Sequence, residues 1–218
     1  MSAAINSFLL VYAALFPIVD PIGSAPLFLG LTQHFSAAKR NALAMQVAIN
    51  GFLLLLGSVF IGSHVLEFFG ITLPIVRIAG GLVVASFGWK LLHAGIDLKD
   101  PNDVGEATAD EGGRIDAFYP LTLPLTVGPG SIAVAITLGS QRPDDATGLT
   151  GLALVYAGGI AGLLAVAVTI YVCFRFAGRI VTFLGHSGTN VLIRLSAFIL
   201  LCIGIAIIWN GYNALLHP

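Results

Sequence analysis

Six stretches of this chain are apolar for long enough to cross a bilayer: Ile5–Leu31, Ala42–His64, Ile71–Leu92, Phe118–Leu138, Gly148–Phe174 and Asn190–Tyr212. A spanning helix needs about 20 mostly apolar residues. Membrane β-barrels use shorter segments in which polar and apolar residues alternate, whereas these runs are continuous. Only 10% of the residues are charged and 57% are hydrophobic, against about 25% charged in a soluble domain. That leaves too little polar surface to face water, so lipid is the expected solvent. The expected fold is an all-α membrane protein of six transmembrane helices. The N-terminal MSAAINSFLLVYAALF carries no positive segment and no small-residue cleavage site ahead of polar sequence. It reads as the first span, not as a removable signal.

One connection is long and polar. Asp97–Asp116 holds seven of the eleven carboxylates, and a solvated linker is the expected form of such a segment. It divides the chain into a first three-helix unit (residues 1–96), an acidic linker (97–117) and a second three-helix unit (118–218) of one membrane domain. Orientation follows from Lys and Arg in the short loops. The first, third and fifth connections carry Lys39, Arg40, Lys90, Lys99, Arg114, Arg175 and Arg179, and the other side only Arg142. Both termini are therefore expected outside the cytoplasm and the linker inside it.

The two units resemble each other. Pro17-Ile-Val-Asp-Pro-Ile-Gly-Ser24 in the first span aligns with Pro124-Leu-Thr-Val-Gly-Pro-Gly-Ser131 in the fourth. The third and sixth spans each follow a glycine (Gly70, Gly185) and carry one arginine (Arg77, Arg194), with spacings that differ by two residues. Three spans per unit make the second copy enter from the opposite side, so the expected architecture is two inverted repeats.

The first and fourth spans are dense in helix breakers: Pro17, Pro21, Gly23 and Pro26, then Pro120, Pro124, Gly128, Pro129 and Gly130. Each proline removes a backbone donor and crowds the turn before it, so helices 1 and 4 are expected to be discontinuous. Irregular backbone at membrane depth must be buried in protein or line a wet cavity. A break frees carbonyls on its upstream side, which suit a cation or ammonium group. Downstream it frees N–H groups at the positive end of a dipole, which suit a carboxylate. Paired breaks in corresponding positions point to a transporter site; two packing kinks are the structural alternative. The candidate substrate-binding residues are Asp20, Pro21, Gly23, Ser24, Thr126, Gly128, Gly130 and Ser131.

Asp20 is the only carboxylate well inside a span and needs a partner or water there. It is a candidate for pairing with an ammonium group, binding a cation or carrying a proton. Equally, it is a candidate partner for Arg77 or Arg194, or a helix cap at the break. Arg77 and Arg194 read as structural charges that snorkel or cap carbonyls. Gln46, Asn50 and Asn190 are weaker candidates that can simply bridge helices. The histidines (34, 64, 93, 186, 217) fall near span ends. Cys173 and Cys202 lie in apolar runs and read as small hydrophobes.

Several function classes are disfavoured. The chain has no GxxxxGK[ST] and no HExxH, no second membrane carboxylate for an aspartyl enzyme, and no buried Ser–His pair. An enzyme is not expected, nor a cofactor or metal. With a net charge of −1 and no basic tract, a nucleic-acid partner is not expected either. Membrane lipid and a small solute are the expected partners, and a homo-oligomer is left open.

Asp20–Thr32 (DPIGSAPLFLGLT) and Phe118–Ile132 (FYPLTLPLTVGPGSI) resemble the signature segments of the MarC family. The resemblance extends over essentially the whole chain, including its length, six spans and central polar linker. It implies a multi-pass protein of the bacterial inner membrane, in the LysE-like transporter group. For SnatA-like members it implies transport of small neutral amino acids such as glycine and alanine. The ligand would then bind around Pro21–Gly23 and Gly128–Ser131. The family's first motif often begins with asparagine where this chain has Asp20, a departure that bears on charge, substrate choice and proton or cation coupling. The expected function is a secondary transporter of small neutral amino acids by alternating access. A channel, an exporter of other small solutes including drugs, and a non-transporting membrane protein are the alternatives.

Overall fold

The computed structural model describes residues 2–93, 117–118, 121–123, 125–140 and 148–216. The acidic linker, Pro120, Pro124, Arg142 and His217 lie outside the described residues. Within them the chain is helical and has no strand: α1 (Ser2–Val19), α2 (Pro21–Leu31), α3 (Ala37–Phe68), α4 (Leu73–His93), α5 (Pro129–Ser140), α6 (Gly148–Arg175) and α7 (Ala177–Leu216). Four helical segments are long and apolar enough to cross a bilayer: Ala37–Phe68, Leu73–His93, Gly151–Arg175 and Ser187–Leu216. The pair α1–α2, bent by 42°, makes a fifth.

The sixth expected span, Phe118–Leu138, is different. Only α5 is regular there, and its 12 residues rise about 18 Å against a hydrocarbon core of about 30 Å. Ahead of it the chain runs in wide turns. Thr122 N donates to Ala117 O at 3.0 Å, Leu123 N to Phe118 O at 2.9 Å and Val127 N to Thr122 O at 2.8 Å. Hydroxyls add further bonds, from Thr122 Oγ1 to Ala117 O at 2.7 Å and from Thr126 Oγ1 to Leu121 O at 2.8 Å. These bonds give partners to carbonyls in a stretch that forms no regular α-helix.

Glycines mark the entries to the last helix of each unit. Gly70 precedes α4 with φ 65°, and Gly185 interrupts α7 with φ 66°, just ahead of Ser187–Leu216. Left-handed backbone of this kind favours glycine.

Packing is between specific pairs. α1 lies on α6, tied by Ser7 Oγ donating to Val155 O at 2.8 Å and by Tyr12 and Thr169 hydroxyls 3.3 Å apart. α3 lies on α5 and α6, α4 on α7 and α5, and α2 on α7 and α6. Phe28 of α2 stacks on Phe174 of α6 with centroids 4.4 Å apart, both rings fully buried.

The α4–α7 contact is backbone to backbone. A Cβ on Gly81 would sit 2.7 Å from Gly204 O, one on Gly88 would sit 2.6 Å from Leu201 N, and one on Gly211 would sit 2.9 Å from Pro74 O. The two helices are thus antiparallel, with Gly81 opposite Gly204, and Gly88 and Gly211 seven residues further on in each. Small residues permit this approach where lipid provides no hydrophobic drive between helices. In this register Arg77 and Arg194 are not equivalent. Arg77 is half-buried and donates from Nε to Thr137 Oγ1 of α5 at 3.2 Å, whereas Arg194 is exposed. The expected arginine correspondence is replaced by a glycine one.

Much of the outer surface is large and apolar: Leu53, Phe60, Leu82, Leu164, Val191, Ile205 and Trp209 are all exposed. Such a surface is suited to lipid.

Gly81→Ala is expected to cost about 1–3 kcal/mol, because the new methyl must push two backbones apart. Gly57→Ala, where a Cβ meets open space, is expected to leave stability unchanged. Apparent unfolding temperatures of the two purified variants in detergent check this contrast.

Candidate functional site

The break in the first span is a single residue. Asp20 adopts left-handed backbone (φ 43°, ψ 61°), and among the described residues it is the only non-glycine that does so. Pro21 follows at the first position of α2, where its missing N–H and fixed φ suit a helix start. The Asp20 side chain caps that helix: Oδ1 accepts from Gly23 N at 3.1 Å. Its own carbonyl accepts from Ser24 N at 3.0 Å and from Ser24 Oγ at 2.7 Å. The Ser196 hydroxyl of α7 lies on the same side of Gly23 as the Asp20 carboxylate. Upstream, Pro21 has no N–H for Pro17 O, and the Gly23 N–H goes to the carboxylate in place of Val19 O. Carbonyls at the end of α1 are thereby released.

The fourth span has no such cap. α5 begins at Pro129, preceded by Gly128, and Ser131 Oγ donates back to Gly128 O at 2.9 Å. The N–H groups of Gly130 and Ser131 belong to the first turn, where a helix offers no internal acceptor. Glycine is required at both helix starts by close approach. A Cβ on Gly23 would overlap Asp20 Oδ2 and Ser196 Oγ, and one on Gly130 would overlap Val84 Cγ2. So α2 leans on α7 at Ser196, and α5 leans on α4 at Val84.

The two helix starts open onto one cavity of about 80 Å³. Of the residues singled out in the sequence, Asp20, Gly23, Ser24, Thr126, Gly128, Gly130 and Ser131 line it. Pro21 is buried beside it and does not. Arg77 and Arg194 lie off its wall, as do Gln46, Asn50 and Asn190. Asp20 is the one titratable side chain on the wall, and Val84, Phe87, Leu125, Ile193 and Leu200 supply apolar surface. A mostly apolar wall with a few convergent polar groups is the usual composition of a small-ligand site.

Ser196 was not legible as a site residue. Its signal was a lone hydroxyl within the apolar run Asn190–Tyr212, away from any breaker. Cys173 and Cys202 are free thiols, and neither lines the cavity.

The chain matches the MarC family of integral membrane proteins over residues 5–216. It is 34% identical over 200 residues to the inner membrane protein MarC of Escherichia coli K12, covering 90% of each chain. Its similarity to the protein of the same name from Shigella flexneri has the same identity and coverage. No solved structure matches it.

The capping geometry makes Asp20 separable from its charge. Asparagine caps helices as well as aspartate does and tolerates left-handed backbone, so Asp20→Asn is expected to be about as stable as the wild type. Asp20→Ala loses the cap, about 1 kcal/mol, and places alanine in left-handed backbone, about 1–2 kcal/mol more. Unfolding of the two variants in detergent, compared with the parent chain, is the measurement.

Proposed function

The chain belongs to the MarC family of integral membrane proteins, and we propose that it is a secondary transporter of small neutral amino acids, of the glycine or alanine type, in the bacterial inner membrane. The observation that carries this reading is the meeting of two broken spans in one cavity, one helix start capped by a carboxylate and the other not. An amino-acid zwitterion complements that asymmetry. Its ammonium pairs with Asp20 and the carbonyls released at the end of α1. Its carboxylate lies at the first turn of α5, at the N–H groups of Gly130 and Ser131 and the positive end of the dipole. The hydroxyls of Ser24, Thr126 and Ser131 lie beside these two poles. Apolar walls at Val84, Phe87 and Ile193 favour a small uncharged side chain over one with a second carboxylate, which Asp20 would repel.

Alternating access is the mechanism expected of two inverted three-helix repeats with paired broken helices about one cavity. Both termini are placed outside the cytoplasm on the lysine and arginine distribution of the loops. The proposed cycle makes and breaks no covalent bond, which is the chemistry of a carrier.

Proteoliposomes holding the purified protein are expected to take up labelled glycine, alanine or serine saturably, with a rate that responds to an imposed proton or sodium gradient. No uptake above empty liposomes for any of the three sinks the proposal, and non-saturating current in planar bilayers replaces it with a channel. Asp20→Asn is expected to flatten the pH dependence of uptake. A variant with the wild-type rate and pH profile at every pH assigns Asp20 a capping role alone.

A further inference from the structure

Cations gather where α3 begins and α6 ends. Lys39 and Arg40 lie in the first turn of α3, Arg175 closes α6 and Arg179 lies in the first turn of α7. The three arginines line one open cleft together with Ala37 and Asn41. Aromatic faces hold the charged heads. Lys39 Nζ is 4.0 Å from the centroid of Phe35, Arg175 Cζ is 5.6 Å from that of Tyr171, and Arg179 Cζ is 5.2 Å from that of Phe176. Arg40 donates to Phe35 O at 3.3 Å. Its Nε is buried and has no hydrogen-bond partner among the described residues.

Nothing acidic balances this cluster among the described residues. Their only carboxylates are Asp20 and Glu67, and neither lines the cleft. Through Ala37 the cleft also meets the start of α3, where first-turn amides carry the positive end of a dipole. A buried, unpaired guanidinium N–H among like charges favours an anionic partner. Guanidinium forks match phosphate oxygens two at a time. Beside the cleft the first part of α7 exposes apolar surface, with Phe183 92% and Phe176 38% exposed, which is suited to acyl chains. All four cations fall in the loops assigned to the cytoplasmic side, where basic clefts between helices take anionic headgroups.

We propose that this cleft binds the phosphate of an anionic phospholipid of the cytoplasmic leaflet, with Arg40, Arg175 and Arg179 as its donors. The site is separate from the central cavity and does not depend on the transport reading.

The test uses the full chain, stripped of lipid in a neutral detergent. Apparent unfolding temperature is measured with added phosphatidylglycerol, phosphatidylcholine or inorganic phosphate. Phosphatidylglycerol alone is expected to raise it by several degrees. The triple variant Arg40→Gln, Arg175→Gln, Arg179→Gln is expected to lose that shift while unfolding at the parent temperature without lipid. Where the triple variant does not fold, Arg179→Gln changes only an exposed side chain. Native mass spectrometry then reads the expected loss of one retained phosphatidylglycerol. An equal effect of phosphatidylcholine overturns the proposal, as does a shift or a retained lipid that survives the substitutions. Inorganic phosphate reproducing the shift makes it a soluble-anion site instead. Lipid-free destabilisation of the triple variant, with no response of the parent to phosphatidylglycerol, makes the partner a carboxylate of this chain.

Discussion

A helix interrupted at membrane depth must find partners for the amides and carbonyls it releases, because lipid offers none. In this chain that requirement is met at one residue. Asp20 turns the backbone through left-handed geometry, caps α2 with its side chain, accepts from Ser24 with its carbonyl and lies beside Ser196 of α7. The sharpness of the bend, the approach of α2 to α7 and the presence of a polar group on the cavity wall all depend on this single cap. The fourth span solves the same problem differently, with wide turns and threonine hydroxyls, and leaves its helix start uncapped. The two halves therefore present unlike poles to a shared space.

The breaks were legible in the sequence because proline and glycine act locally. Pro21 and Pro129 each stand at a helix start; the positive φ of Gly70 and Gly185, read in the sequence only as glycines ahead of a span, was not legible. The extent of each break was not legible. Dense breakers in the first span suggest an unwound stretch, yet Pro17 and Pro26 are accommodated within helices and only Asp20 departs. Proline inside a membrane helix is tolerated where neighbouring groups re-satisfy the freed backbone, which is a tertiary property.

Which helices touch was also beyond local reading. The arginine in each last span suggested one alignment of the halves, and the glycines that let α4 and α7 meet gave another. Close approach selects glycine strongly, since any side chain there collides with backbone. An arginine near a helix end is selected only weakly, because its long stem reaches many partners. Ser196 escaped notice for a related reason: its role comes from the cap on a helix far away in sequence. The convergence of arginines from α3, α6 and α7 is likewise a product of packing, although loop charge had already assigned them to one side of the membrane.

The α4–α7 pair has a mechanical consequence. At Gly81, Gly88 and Gly211 glycine is set against the backbone of the other helix, so at these positions there is no side chain on the glycine's helix to slide or repack. Shear between them would drive main-chain atoms into one another, so the pair behaves as a single beam. Each helix of that beam is entered through a left-handed glycine, Gly70 on one side and Gly185 on the other. Those glycines are natural pivots, and a rearrangement that opens the cavity would tilt a rigid strut about two joints without bending it.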